Sequence, residues 1–255
     1  MIRTWIGCIC FSLFACAPQT PMPDMQPGEI GRVTKVIDGD GLILDTGQRV
    51  RLISISAPVL APPDGLPDPH SGESARLLED MALGRQVQLF YPGMTRDRYD
   101  RALAHVVTND LAGPRLWLNQ EMVARGGARV RLYGSTSARG RELLDVEARA
   151  RHQAIGLWAL AAYAPQQAQD LTQDQHGYVI VFATLDAVVP HEENARFAPA
   201  CRRAVAGASL LLDIDRDAAS ACGIANGTRV EIRGWLTDGV IRLRHPLHLT
   251  IESTP

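Results

Sequence analysis

The chain has 255 residues, 46% of them apolar and 21% charged, with 26 basic residues against 28 acidic for a net charge of −2. That length suggests about two domains of ordinary size, and the composition excludes a disordered or collagen-like chain. The near-neutral balance also argues against strong non-specific nucleic-acid binding, which rests on a surplus of Lys and Arg against phosphate. Lys35 is the sole lysine, so the basic side chains are almost all arginine.

Residues 1–16 read as a targeting segment and stand outside the fold. Arg3 supplies the positive start and Trp5 to Phe14 the apolar stretch. Leu13-Phe14-Ala15-Cys16 resembles the box at which bacterial lipoprotein signals are cut ahead of a lipidated cysteine, here Cys16. An ordinary secretory cleavage nearby is the competing reading. The apolar run is shorter than the ~20 residues a membrane span needs. Residues 17–29 are rich in proline and are expected to form a flexible tether. Export would place the chain in an oxidising compartment and remove Cys8 and Cys10 with the signal. Cys201 and Cys222 then become disulfide candidates, closing a loop worth about 3 kcal/mol on a chain-entropy model. Two buried free thiols are the alternative.

Between residues 33 and 59 the apolar, largely β-branched side chains predict three short strands in a meander. Asp38-Gly39-Asp40-Gly41 is expected to supply positive φ angles for the first reversal, and Asp45-Thr46-Gly47-Gln48 the second. A proline-rich loop follows over 61–70, then a helix from Glu73 to about Leu83 with Ser71 as its cap. Gln86 to Tyr91 and Ala102 to Val107 read as strands, Trp117 as a core residue, and 119–126 and 137–154 as helices. Residues 161–175 are polar and glutamine-rich and read as a linker. Beyond it, strands are expected over 177–189, 209–213, 228–236 and 239–251, the last broken at His245-Pro246, with a helical turn at 218–222. His176, His191, His245 and His248 have no zinc-ligand spacing with the cysteines.

The run Asp38-Gly39-Asp40, then Arg51-Leu52, then Ser56-Ala57-Pro58-Val59 resembles the opening of the staphylococcal nuclease family. So does Asp97-Arg98-Tyr99-Asp100-Arg101-Ala102-Leu103-Ala104. Asn119-Gln120-Glu121-Met122-Val123 and the run from Glu147 to Gly156-Leu157-Trp158 are similar to the family's two later helices. The resemblance implies a five-stranded OB-fold β-barrel plus helices over residues 30–160. Residues 176–255 are expected to form a second small all-β, OB-like domain. Its Arg233-Gly234-Trp235-Leu236 and His245-Pro246 pieces resemble a domain that trails nuclease-like domains in bacterial envelope proteins.

Matching positions, the resemblance implies Asp40 as a metal carboxylate and Arg51 and Arg101 as phosphate-binding arginines. Only the planar guanidinium can hold phosphate oxygens through two parallel bonds. Two family carboxylates are absent. Ser56 stands at the second metal ligand and Val59 at the general-base glutamate, while Gly41 replaces a threonine. Calcium would therefore bind weakly if at all, and the loss of a general base alone costs on the order of 10²- to 10⁴-fold in rate. Asp64 or Asp68 could substitute from the proline-rich loop. Asp40 could also serve only its turn. The expected function is an exported, lipid-anchored, catalytically impaired nuclease-like protein of the cell envelope, binding nucleic acid or nucleotide, or an envelope protein or glycan. An active calcium-dependent phosphodiesterase, and a secreted soluble form, are the alternatives.

Overall fold

The computed structural model describes residues 21–63, 65–191 and 198–252. The expected signal segment with Cys8, Cys10 and Cys16, and also Asp64, lie outside the described residues.

The first unit is a closed barrel of five strands in the order β1-β2-β3-β6-β5. These are β1 (Gln26–Asp38), β2 (Gly41–Leu44), β3 (Arg49–Leu52), β5 (Gln86–Tyr91) and β6 (Ala102–Thr108), with β4 (Ile55–Ser56) pairing outside the ring with β7 (Arg129–Val130). Thirteen-residue β1 closes the ring, because its early half pairs with β5 and its later half with β2. All ring pairings are antiparallel except β3 with β6. Alternation sends Leu42 and Leu44, Val50 and Leu52, and Val87 and Leu89 into one core. Helix α1 (Ser71–Ala82) buries Leu78, Met81 and Ala82 in that core. Helices α2 (Leu118–Ala124) and α3 (Gly140–His152) complete it through Met122, Val123 and Leu143.

The structure changes three local expectations. Neither Gly39 nor Gly41 has a positive φ, whereas Gly47 does, at 81°. Gly39 is required by crowding instead, since a Cβ there would lie 2.6 Å from Ala57 Cβ and 2.7 Å from Ser74 Cβ. Ser71 does not cap α1 but begins it, and the capping position falls to His70 at φ 69° with no side-chain bond. Residues 21–29, expected within the tether, pack on the barrel. Met22 and Met25 are buried against Phe90 and Val107, and Asp24 pairs with Arg139 at 2.6 Å.

The second unit carries β8 (Gln166–Gln167), β9 (Gly177–Val189), β10 (Cys201–Val205), β11 (Leu211–Ile214), β12 (Arg229–Thr237), β13 (Val240–Leu243) and β14 (Leu249–Ile251). The pairings β9-β10-β11-β13-β12 return to β9, so this unit is also a closed five-stranded barrel, and β11 with β13 is its parallel pair. Strand β10 is an addition to the strands expected from sequence. The expected linker is partly structural: Ala168 and Leu171 are buried in the second core, and β8 pairs with β9. Cys201 and Cys222 form a disulfide with Cα atoms 6.1 Å apart.

The barrels meet over a wide seam. Ala150, Leu157, Trp158, Tyr163 and Ile180 form a shared apolar cluster. Beside it Arg233 of β12 pairs with Glu147 of α3, and Arg151 of α3 holds Glu231 with two bonds of 3.0 and 2.8 Å.

Candidate functional site

Val50 and Leu52 of β3 are buried, so the alternation of the strand turns Arg51 outward. Arg51 lies opposite Leu103 in the parallel register, which brings the start of β6, and with it Arg101, to the same wall. Asn119 holds this wall in place from α2. It is fully buried, accepts from Val106 N–H at 2.9 Å and donates to Ile53 O at 2.9 Å. Arg51, Arg101 and Arg131 line one cavity of about 380 Å³, with Ile53, Ile55 and Leu103 as its apolar floor. No carboxylate is among the lining residues.

Each of the two expected arginines is held by a partner. Arg101 donates from its backbone N–H and from Nε to Asp97, at 3.0 and 2.7 Å. Arg51 pairs with Asp40 Oδ1 and donates to Ile55 O at 3.3 Å. Asp40 Oδ2 accepts from Ala57 N–H at 2.8 Å. Burial pushes the Asp40 carboxyl up to about 6, against the pull of the Arg51 guanidinium.

These partners decide whether calcium fits. The ion takes about six to eight oxygens, with carboxylates prominent among them. Asp40 is buried and already bonded through both oxygens. Ser56 carries no charge, and Val59 offers no side-chain oxygen. Among the described residues, no three His, Cys, Asp or Glu side chains come together as a metal-binding group. The residues present do not fit a calcium site. Asp68 does reach position 59, but as a loop anchor. Its Oδ2 accepts from Val59 N–H at 2.8 Å and its own N–H donates to Val59 O at 2.9 Å. It does not line the arginine cavity.

Arg131 is the cavity residue that motif matching does not find. A signal existed, since Arg129-Val130-Arg131-Leu132-Tyr133 alternates charged or aromatic residues with buried apolar ones. The rest of the Arg96–Arg101 charge cluster is spent locally: Arg96 pairs with Glu29 at 2.7 Å and Arg98 stacks on Tyr99.

A five-stranded barrel wound in this order, with its third and fifth strands parallel, is an OB-fold domain. Residues 49–160 match the family model described as Staphylococcal nuclease homologue. The thermonuclease of Staphylococcus intermedius is 30% identical over 109 residues, covering 42% of this chain and 62% of that protein. The thermonuclease of Staphylococcus hyicus is 30% identical over 110 residues, covering 40% and 59%. The chain thus spans less than two thirds of either relative. Its first barrel is similar to the staphylococcal nuclease family over these residues.

Proposed function

We propose that this nuclease-like protein binds phosphate-bearing nucleic acid without hydrolysing it efficiently. The observation that supports this reading is a cavity lined by Arg51, Arg101 and Arg131 and by no carboxylate. Guanidinium groups gathered against an apolar floor attract phosphate and strengthen its hydrogen bonds by excluding water. Hydrolysis needs more. A carboxylate must activate water, and Val59 cannot.

The test is a calcium titration of single-stranded DNA hydrolysis. The wild type is expected to show little calcium-stimulated cleavage. Ser56→Asp with Val59→Glu is expected to raise the rate by more than about tenfold, with each change alone doing far less, because a base and a metal ligand act as a unit. Arg101→Ala in the double variant should remove the gain. Wild-type cleavage dependent on both calcium and Arg101 would overturn the reading.

The cell-envelope location rests on Leu13-Phe14-Ala15-Cys16. No helix among the described residues is long and apolar enough to cross a membrane. Fatty-acid labelling in a bacterial host is expected to mark the protein and to vanish in Cys16→Ala; label that persists in the variant would rule out this anchor.

A further inference from the structure

Arg131 lines a second cavity, of about 270 Å³, at the seam between the barrels. Its other wall is the outer face of the second barrel. Along that face Tyr178 of β9 is opposite Trp235 of β12, and Trp235 is opposite Arg242 of β13, with Arg244 two residues on. Leu236, Ile241 and Leu243 point the other way into the core, so this row is an exterior surface. Gly234 lets β12 approach β13 closely there, because a Cβ would lie 2.7 Å from Arg242 O.

Three features of the row point to a ligand. Trp235 is 44% exposed, unusual for so large an apolar ring with a cavity at its side. The Arg131 guanidinium lies over Tyr133, Tyr178 and Trp235, at 5.3, 5.5 and 5.1 Å from the ring centres. Among the described residues it has no hydrogen-bond or carboxylate partner; a half-buried cation held only by ring faces keeps its donors available. Arg242 is ion-paired with Asp213 and Asp215, and Arg244 with Asp215, at 3.7 to 3.9 Å, separations too long for direct hydrogen bonds. Cations set beside one exposed ring face suit a strand that carries both phosphates and bases.

We infer that a single-stranded oligonucleotide runs from the Arg51–Arg101 cavity past Arg131 onto the second barrel, where a base stacks on Trp235 and phosphates meet Arg242 and Arg244. This extends the proposed function and rests on it for the first cavity. It is also compatible with the net charge of −2, since binding needs only one local arginine track rather than a basic surface. A chain of phosphates is favoured over an acidic glycan because a base can stack on Trp235 while the phosphates on either side of it meet Arg242 and Arg244.

The test is fluorescence anisotropy of the full chain with labelled oligothymidine of two and of twelve residues at fixed low salt. The twelve-residue strand is expected to bind more tightly than the dinucleotide, and Trp235→Ala to weaken the longer strand by about fivefold or more, a stacking loss that Trp235→Phe should restore. Replacing Arg242 and Arg244 by alanine should lower the salt dependence of the longer strand by about one unit of slope for each phosphate left without its arginine. Twelve-residue binding that depends on Arg101 but is indifferent to Trp235, Arg242 and Arg244 would overturn this inference and leave the proposed function standing. Binding that depends on Trp235 but not on Arg101 would support the seam and sink the reading of the first cavity. An acidic polysaccharide that competes as tightly as the oligonucleotide, with the same Trp235 dependence, would overturn the ligand class. Circular dichroism of each variant checks that the fold is intact, which the exposure of Trp235 favours.

Discussion

In the first barrel the segment between the third and fourth ring strands holds a twelve-residue helix, α1, that places Leu78, Met81 and Ala82 under the barrel. In the second barrel, wound in the same order, the same interval holds 3-10 turns over Arg216–Gly223 that bury only Ala218 and Ala221. So small a plug contributes little apolar area, and other bonds hold it. Cys222 is tied to Cys201 of β10. Nearby Arg203, 1% exposed, donates to Asp186 O at 2.9 and 2.7 Å and also to Ile224 O. Barrel topology therefore fixes where a plug must go but not what holds it there. The same separation applies to the surfaces. The first barrel turns arginines outward beside β3 and β6, the second turns Trp235 outward from β12, and neither follows from the winding.

The largest effect is expected where the barrels are joined. Glu147 is fully buried, accepts from Val130 N–H at 2.7 Å through one oxygen and pairs with Arg233 through the other. Glu147→Gln would leave the Arg233 charge, itself 5% exposed, without its counter-ion on α3. Breaking a buried pair from one side costs about 3–5 kcal/mol. Urea unfolding should show that loss, and two separate transitions in place of one would show that this seam couples the barrels. An unchanged midpoint would mean that the pair of Arg233 with Glu231, at 3.0 Å, suffices alone.

Removing the disulfide should set the two plugs further apart. Cys222→Ser should cost about 3 kcal/mol, and hydrogen exchange should locate the loss in β10, β11 and the turns at 216–223. Strands β5 and β6 should keep their protection, because α1 plugs their barrel without a covalent tie. Equal loss in both barrels would mean that the covalent tie serves the whole molecule and not the smaller plug.

The sequence carried much of this arrangement, and particular residues explain what it did not. Ring strands such as Gln86–Tyr91 and Arg229–Thr237 alternate between core and surface, so a period of two finds them. Strand β10 escapes because Cys201-Arg202-Arg203 looks like a charged loop. Arg203 is buried there because the carbonyls of Asp186 in β9 and of Ile224, just past the turns at 216–223, surround it. Arg51 and Arg101 are legible through local motifs. Arg131 is legible only as an outward position in the alternating run 129–133, since the cavity it shares with the second barrel depends on which wall of that barrel comes to face it. Met22 and Met25 are hidden among prolines and find their pocket only once β1 has closed against β5.

The smallest expected effect concerns the pair that most distinguishes the first barrel's cavity. Arg51 shares its guanidinium between that cavity and Asp40, and burial raises the Asp40 carboxyl to about 6. Above that pH the carboxylate competes with any phosphate for Arg51. As the pH falls through about 6, Asp40 takes up a proton, the competition ends, and oligonucleotide affinity should rise severalfold. Phosphodiester groups stay ionised over this range, so the ligand itself does not titrate. The stability linkage has the same sign: a folded-state value above the ordinary 3.8 means that the folded protein holds this proton more tightly than the unfolded chain. The contribution is therefore fully present below about 3.8 and is lost as the pH rises through about 6. The groups facing Asp40 are Arg51, the Ala57 N–H and Asp38, whose Oδ1 accepts from Asp40 N–H at 3.0 Å. Anisotropy titrations from pH 5 to 8 check the expectation, with Asp40→Asn as the comparison. The variant should bind at pH 7.5 as the wild type binds near pH 5 and should lose this part of the pH dependence. A wild-type slope that survives in Asp40→Asn would assign the proton elsewhere and leave Arg51 permanently committed to its turn.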